Sequence, residues 1–236
     1  MSRWLIRKET VGRPREGVPW RIAHLSDLHV WSEGRALPWI DSVLAEWEPD
    51  VVAMTGDYAD TPAGRRRVAR WLADTARRWP VGWIAGNHDR WFGQSWLRQL
   101  AETRGSCCVE HGDLVLTRPD GSVCRIVAWS GDCRLGTPPD RPGRPERRVA
   151  LVHDPTGIEP AAARGVDLVL AGHLHGGQVV VGRDRRGRLL PGGWFYRWCG
   201  DRWDWENGSL IVSRGLGDTL PVRFRCPREL VLVELW

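Results

Sequence analysis

The sequence predicts a layered α/β fold, and two patterns carry this prediction. Short apolar runs that end in polar residues alternate with helical patterns, and later segments alternate apolar with polar residues. The 236 residues suit about one domain, and a content of 42% hydrophobic and 27% charged residues is that of a globular protein. Disordered and fibrous classes are therefore excluded. We expect an N-terminal extension over residues 1–19 and one domain over residues 20–236.

Five short apolar runs predict buried strands. They occupy residues 21–29, 51–57, 82–89, 149–153 and 167–175. Continuous apolar runs suit strands that are buried on both faces. Each run ends in residues able to bind metal. Because ligands bind at the carboxyl ends of strands in open α/β sheets, we expect the five polar ends to converge on one site.

Three apolar stripes at helical spacing predict helices between these strands. The stripes are Ile40, Val43, Leu44 and Trp47; Val68, Trp71, Leu72, Thr75 and Trp79; and Trp96, Leu97, Leu100 and Ala101. The segment 136–148 is rich in proline and arginine, so we predict a loop there.

The remaining strands are predicted to be antiparallel and to form a second sheet. Asp120-Gly121 lies between two alternating runs within 114–127, which is a strong hairpin signal. Further strands are predicted at residues 179–181, 189–190, 209–212 and 229–236.

Composition places few limits on function. Of 34 basic residues only Lys8 is lysine, and 16 residues are tryptophan, which a GC-rich coding sequence explains. The net charge of +5 is then a weak indication of anionic partners. The six cysteines have no C-x-x-C spacing, so we expect reduced structural thiols.

No part of the sequence is predicted to span a membrane. A run of about 18 apolar residues is absent. The amino terminus also lacks the apolar segment of a secretory signal, so we expect a cytoplasmic protein.

The ends of the five apolar runs concentrate metal-binding side chains. Five of the seven histidines lie there with two aspartates and one asparagine: Asp27, His29, Asp57, Asn87, His88, His153, His173 and His175. Imidazole mixed with carboxylate suits Mn²⁺, Fe or Zn²⁺. Eight donors exceed the four of a tetrahedral zinc site and are about what two adjacent ions would take. Two ions can clamp the attacking and leaving oxygens of a displacement at phosphorus, which indicates phosphoester hydrolysis.

Five blocks in order resemble the calcineurin-like metallophosphoesterase superfamily. They are Asp27-Leu-His29, Gly56-Asp57, Gly86-Asn-His-Asp89, His153 and Gly172-His-Leu-His175. The continuation into Gly176-Gly-Gln178 is similar to a bacterial subgroup of phosphodiesterases and UDP-2,3-diacylglucosamine pyrophosphatases. The resemblance implies a four-layer α-β-β-α sandwich with two mixed sheets flanked by helices.

The resemblance also implies roles for the metal ligands. Asp27, His29 and His175 would hold one divalent ion, Asn87, His153 and His173 the other, and Asp57 would bridge them. A hydroxide shared by the two ions would attack phosphorus. Mn²⁺ is the expected metal, and Fe and Zn²⁺ are alternatives.

Further roles are expected for residues near these blocks that do not bind metal. His88 matches the family histidine that faces the scissile phosphate. Asp89 either orients His88 or caps a helix. Gly176 and Gly177 allow close approach of the backbone to substrate, and Gln178 either holds a loop or contacts substrate. For Asp60 a solvated or capping role is at least as plausible as a functional one.

The expected substrate is a phosphodiester or diphosphate, with a lipid- or nucleotide-linked molecule such as UDP-2,3-diacylglucosamine as one case. The block at Gly56-Asp57 lacks the Asp-Arg-Gly continuation of protein phosphatases, which disfavours a phosphoprotein substrate. A metal-dependent nuclease is an alternative, because arginines at 65–67 and 183–188 could follow a phosphate backbone, although we do not expect nucleic acid as the main partner. A non-catalytic scaffold with the same fold is a second alternative.

Residues 191–205 interleave tryptophan and other aromatic residues with arginine. Such a segment suits the headgroup region of a membrane, which would make the protein peripherally associated. The alternative is a loop whose aromatic residues pack over the second sheet.

Overall fold

The computed structural model describes residues 4–14, 17–129, 146–159, 165–206, 208–220 and 222–236. In these residues the strands are β1 (Trp4–Val11), β2 (Trp20–Leu25), β3 (Val51–Met54), β4 (Val81–Trp83), β5 (Ser106–Cys108), β6 (Leu114–Thr117), β7 (Val123–Ala128), β8 (Glu146–Leu151), β9 (Leu168–Ala171), β10 (Val180–Arg183), β11 (Leu189–Pro191), β12 (Arg202–Trp205), β13 (Gly208–Val212) and β14 (Arg228–Leu235). The α-helices are α1 (Ala36–Trp47), α2 (Pro62–Ala76), α3 (Asn87–Trp91) and α4 (Gln94–Ala101).

Two six-stranded mixed sheets organise the described residues. The first has the order β1-β14-β2-β3-β4-β5 and the second β12-β13-β9-β8-β7-β6. In the first sheet only the pairing of β14 with β2 is antiparallel. In the second, the pairs β12–β13 and β6–β7 are antiparallel and the inner pairs are parallel. This confirms the mixed α/β fold with two mixed sheets.

The assignment of strands to the sheets differs from the prediction. The C-terminal strand β14 lies inside the first sheet, while β8 and β9 lie in the second. Strands β10 and β11 form a separate antiparallel hairpin. The expected extension over residues 1–19 contains β1, which pairs with β14 along its whole length. Alternation within one strand cannot reveal these partners, since pairing depends on the path of the whole chain.

Three of the four apolar clusters in the described residues define the layers. One lies between the helices and the first sheet, where Ile40, Val68 and Leu100 pack on strand residues such as Met54. The second lies between the two sheets and includes Ile22 of β2. The third covers the outer face of the second sheet. Among the described residues, the segments packed on that outer face are a 3-10 turn and part of 191–205, with no α-helix.

The helices begin and end where local chemistry directs them. The Thr61 hydroxyl accepts a hydrogen bond from the Gly64 amide, and Pro62 occupies the first turn of α2. Glu48, with φ of 50°, ends α1. Trp79, predicted in the second helix, lies beyond the end of α2 at Ala76.

The predicted loop at 136–148 lies mostly outside the described residues, and its last three residues begin β8. The five cysteines in the described part are free. None of the helices described here has both the length and the apolar character needed to cross a bilayer.

Candidate metal centre

The seven candidate ligands predicted from the sequence, together with His88, lie at one edge of the two sheets. Asp27 and His29 follow β2, Asp57 follows β3, Asn87 and His88 begin α3 after β4, His153 follows β8, and His173 and His175 follow β9. The first three strands belong to one sheet and the last two to the other. The site is therefore built across the interface between the sheets.

In the part of the chain that the structure describes, three overlapping groups of donor atoms could hold metal ions. They are Asp27, His29 and His175; His29, Asp57 and His88; and Asp57, His153 and His173, with the donors of each group within 4.8 Å of one another. His29 and Asp57 each belong to two groups. The three groups therefore form one continuous centre.

Ring nitrogens face each other inside this centre. His29 Nε2 lies 3.3 Å from His175 Nε2, and His173 Nδ1 lies 3.1 Å from His153 Nε2. Two imidazole nitrogens at such distances direct their lone pairs to the same space, an arrangement that a cation satisfies. Asn87 Oδ1 is 2.9 Å from His153 Nε2 and adds an oxygen donor. The donor set therefore fits divalent ions of intermediate softness.

Backbone conformation also distinguishes the site. Positive φ angles occur at Asp27 (50°), His29 (40°), Asp57 (57°), His173 (69°) and His175 (48°). Such angles cost of order 1–3 kcal/mol per residue and concentrate at functional sites. The chain thus accepts local strain in order to aim these side chains at common points.

Two glycines permit close packing around the carboxylates. A Cβ on Gly86 would lie 2.1 Å from Asp57 Oδ1, and one on Gly172 would lie 2.4 Å from Asp27 Oδ2. No side chain fits at those distances, so glycine is required at both positions.

Hydrogen bonds orient the ligands from outside. His153 Nδ1 donates to the Thr55 carbonyl at 2.7 Å, which leaves Nε2 to face the site. The His88 amide donates to Asp57 Oδ1 at 2.9 Å. The Ser26 hydroxyl donates to Asp27 Oδ2 at 2.6 Å. Each ligand therefore has a restricted rotamer.

Asp60 links two of the imidazoles, a role that the sequence analysis left open. Its carboxylate lies 3.0 Å from His29 Nδ1 and 2.9 Å from His88 Nδ1. The feature of the sequence that could have indicated this role is the position of Asp60, three residues after the candidate ligand Asp57. Asp218, which the sequence did not single out, lies 3.6 Å from His175 Nδ1. Both carboxylates can fix ring orientation from behind the ligands.

The contacts of Asp89 are those of a capping carboxylate. Its buried carboxylate accepts hydrogen bonds from the amides of Asp57 (2.7 Å), Tyr58 (3.1 Å) and Gly86 (3.0 Å). In the described structure His88 Nδ1 is bonded by Asp60, not by Asp89. These three amides engage both carboxylate oxygens, which favours the capping alternative over the orientation of His88.

The residues after His175 turn the chain under the site. Gly176 and Gly177 have positive φ, and a Cβ on Gly176 would lie 2.8 Å from Cys226 Sγ. Gln178 Nε2 donates to the Leu220 carbonyl at 3.1 Å, so this side chain holds a loop. Gly177 and Gln178 also line the cleft over the donors.

Electrostatics favours bound cations. The neighbouring imidazoles lower the pKa of Asp27 and Asp57 even though burial alone would raise it. For His153, burial is outweighed by the Asp57 carboxylate, and the pKa is raised to about 9. Burial and the charge of His153 lower the pKa of His173. The Asp27 and Asp57 carboxylates are thus anionic at neutral pH, and protonated His153 is a positively charged partner of Asp57.

A cleft of about 450 Å³ opens over the donors. We call it the metal cleft; its walls include His29, Asp57, Asn87, His88, Trp91, His173, His175, Gln178, Thr219 and Leu220. The Trp91 ring lies 4.5 Å from that of His88 and is 73% exposed. The metal cleft can therefore admit a phosphate ester from solvent.

The aromatic segment 191–205 divides into two parts. Trp198 is 4% exposed, donates to the Ile158 carbonyl at 3.2 Å and packs edge-on against Trp203. Trp194, Phe195 and Tyr196 are instead 67%, 80% and 48% exposed. In the second half of the segment the aromatic residues pack over the second sheet, as one alternative predicted. In the first half three aromatic rings are exposed to solvent.

Some of the arginines that could follow a nucleic-acid phosphate backbone already interact with other side chains of this chain. Arg183 pairs with Asp201, Arg188 pairs with Asp184 at 2.6 Å, and Arg65 lies over the Phe92 ring at 4.4 Å.

Residues 21–177 match the calcineurin-like phosphoesterase family, and the chain belongs to that family. It is therefore a metallophosphoesterase, a metal-dependent hydrolase that acts on phosphoester bonds.

Two curated relatives match most of the chain. The uncharacterized metallophosphoesterase YkuE of Bacillus subtilis is 28% identical over 224 residues, which cover 90% of this chain and 76% of that protein. The phosphodiesterase YaeI of Escherichia coli is 27% identical over 249 residues, with coverage of 98% and 87%.

Among solved structures, a phosphopantetheinyl hydrolase of Mycobacterium tuberculosis aligns with a TM-score of 0.49 at 16% identity, covering 85% of this chain and 91% of that chain.

Proposed function

We propose that this protein hydrolyses phosphodiester or diphosphate bonds at a binuclear metal centre. In this proposal one ion is held by Asp27, His29 and His175, the other by Asn87, His153 and His173, and Asp57 is shared. One observation carries the proposal: Asp57 Oδ2 lies 3.8 Å from His29 Nε2 and 3.3 Å from His153 Nε2, between the two groups of donors. When bound there, two divalent ions would supply Lewis-acid chemistry to the phosphoryl group and to the attacking water.

The protein's own residues supply the remaining functions. His88 lines the metal cleft, and Asp60 accepts a hydrogen bond from its Nδ1. With Nδ1–H bonded to Asp60, the opposite nitrogen Nε2 carries a proton only in the imidazolium form, and in that form it would donate the proton to the leaving oxygen as the bond to phosphorus breaks. Asp60 fixes the ring plane and would stabilise the imidazolium before that transfer. Gly177, which lines the metal cleft, would let the backbone approach the ester closely.

Asp57→Ala tests the binuclear proposal. With Mn²⁺-loaded protein and bis(p-nitrophenyl) phosphate, we expect a loss of at least about a hundredfold in rate, together with lower metal content by elemental analysis. Asp113→Ala, which removes an exposed aspartate paired with Arg125, is the matched control and should retain activity. Full activity of Asp57→Ala would contradict the proposal. Wild-type protein that binds no metal after Mn²⁺ loading would favour the scaffold alternative.

The finer substrate proposal is a lipid- or nucleotide-linked phosphodiester or diphosphate. The name of the relative YaeI, a phosphodiesterase, supports a diester. Turnover of UDP-2,3-diacylglucosamine should be compared with that of phosphomonoesters and cyclic nucleotides, with metal content measured on the same sample. Manganese, Fe and Zn²⁺ are distinguished by the same measurement. A preference for monoesters would contradict the proposal.

We further propose that the exposed triplet Trp194-Phe195-Tyr196 contacts a membrane surface. Its support is the exposure of three adjacent rings beside Arg197, a combination suited to the headgroup region. Sedimentation with anionic liposomes should decrease when Trp194 and Phe195 are both replaced by Ser. Val18→Ser, at a 71% exposed position elsewhere, is the control. Equal sedimentation of all three proteins would remove the membrane proposal.

A further inference from the structure

A second, larger cavity opens beside the metal cleft. Its volume is about 830 Å³, nearly twice that of the metal cleft. The loop after β2, the start of α1, residues 216–219 and one side chain of β1 form its walls. We call it the Trp31 pocket; its apolar lining is Trp4, Leu28, Val30, Trp31, Ala36 and Leu216.

The Trp31 pocket adjoins the metal cleft. His29 and Thr219 line both cavities. The Thr219 hydroxyl lies 3.3 Å from His29 Nδ1, so these two side chains form a common wall. A substituent on a phosphate held at the metal centre would reach the Trp31 pocket by passing this wall.

The walls of the Trp31 pocket are held in place before any ligand binds. Trp4 stacks on Trp39 with ring centroids 5.8 Å apart, and its Nε1 donates to the Leu216 carbonyl at 2.9 Å. A Cβ on Gly64 would lie 1.8 Å from the Val30 carbonyl oxygen, so α2 packs directly against the loop that carries Trp31. Largely preformed walls are typical of small-molecule sites.

The lining favours an apolar occupant. The Trp31 side chain is 51% exposed although its backbone is fixed by a hydrogen bond from the Thr61 hydroxyl at 3.1 Å. The charged residues that line the pocket are paired with each other, Asp218 with Arg228 and Glu33 with Arg35. A volume of this size suits a drug-sized group, and an apolar lining with paired charges does not suit a second phosphate.

We propose that the Trp31 pocket binds an apolar substituent of the substrate, an alkyl chain or apolar ring esterified to the phosphorus at the metal centre. The enzyme then selects amphiphilic phosphodiesters over small polar ones. This inference rests on the proposed function for its position beside the reacting phosphorus.

A homologous series of p-nitrophenyl alkyl phosphates tests the proposal. In each reaction water adds its oxygen to phosphorus, the bond to nitrophenolate breaks, and the alkyl phosphate remains. We expect kcat/KM to rise about two- to fourfold per methylene from the methyl to the octyl ester, below the micellar concentration. Trp31→Ala should reduce the octyl-to-methyl ratio at least about tenfold, and Trp31→Phe should restore most of it. Val115→Ala, at a 45% exposed position on β6, should keep the wild-type ratio.

Calorimetry that compares the affinity for octyl phosphate with that for methyl phosphate tests the same chain-length preference without turnover. If no diester is hydrolysed but octyl phosphate binds more tightly and Trp31→Ala removes the difference, the pocket stands and the proposed function falls. Equal kcat/KM and equal binding for methyl and octyl compounds would overturn the inference. A chain-length preference that Trp31→Ala leaves unchanged would also overturn it.

Discussion

Replacement of Asp89 by alanine separates a capping role from a catalytic one. The Asp89 side chain is buried and accepts three amide hydrogen bonds that tie the loop after β3 to the start of α3. Asp57 lies in that loop, so the cap also supports the centre of the metal site. Alanine would leave three buried donors without partners.

The expected loss in free energy of unfolding is about 3–6 kcal/mol. Each hydrogen bond contributes about 1–2 kcal/mol net, and an unsatisfied buried donor carries the cost of its desolvation. Burial raises the pKa of Asp89 to about 6, so the ionised carboxylate is itself disfavoured by its surroundings and the loss should lie towards the lower end. A loss of this size is at the upper end for a single substitution.

Urea unfolding followed by tryptophan fluorescence measures this loss, with activity assayed on the same samples. Asp120→Ala is the control, because Asp120 accepts the Ser122 amide at 2.8 Å in an exposed turn, and its replacement should leave the urea midpoint almost unchanged. A loss below about 1 kcal/mol for Asp89→Ala, accompanied by a large fall in kcat, would refute the capping role and favour the orientation of His88.

Two further predictions concern the metal centre. At saturating Mn²⁺, Asp60→Asn should lower kcat about 10- to 100-fold with little change in KM or in the urea midpoint, because the carboxylate orients His88 and the candidate ligand His29; unchanged kcat would contradict this role. In metal-free protein the pKa of His153 is about 9, against about 6.5 in the unfolded chain. This shift stabilises the fold fully below pH 6.5, and the stabilisation is lost as pH rises to 9. Because a metal must displace that proton, the apparent affinity for Mn²⁺ should rise up to about tenfold per pH unit below pH 9, and an affinity independent of pH by calorimetry would refute the linkage.

Much of the fold follows from local patterns. The buried faces of α1 and α2 were predicted from helical spacing, and Val68, Trp71 and Leu72 are buried. The hairpin at Asp120-Gly121 joins β6 and β7 in antiparallel pairing, as predicted. These features depend on nearby residues alone, which explains why a single sequence reveals them.

The partners of strands do not follow from local patterns. Strand β14 is separated from both of its neighbours, β1 and β2, by most of the chain. Its apolar residues would suit either sheet, and only packing of the whole chain selects one.

By itself, the sequence determined which side chains meet at the metal centre, because spacing after apolar runs places polar residues at strand ends. Only the tertiary structure decided what surrounds them. Asp60, Asp218 and the wall of the Trp31 pocket come from segments distant in sequence from the residues they contact. Such contacts depend on distances and directions in space, which no periodicity along the chain encodes.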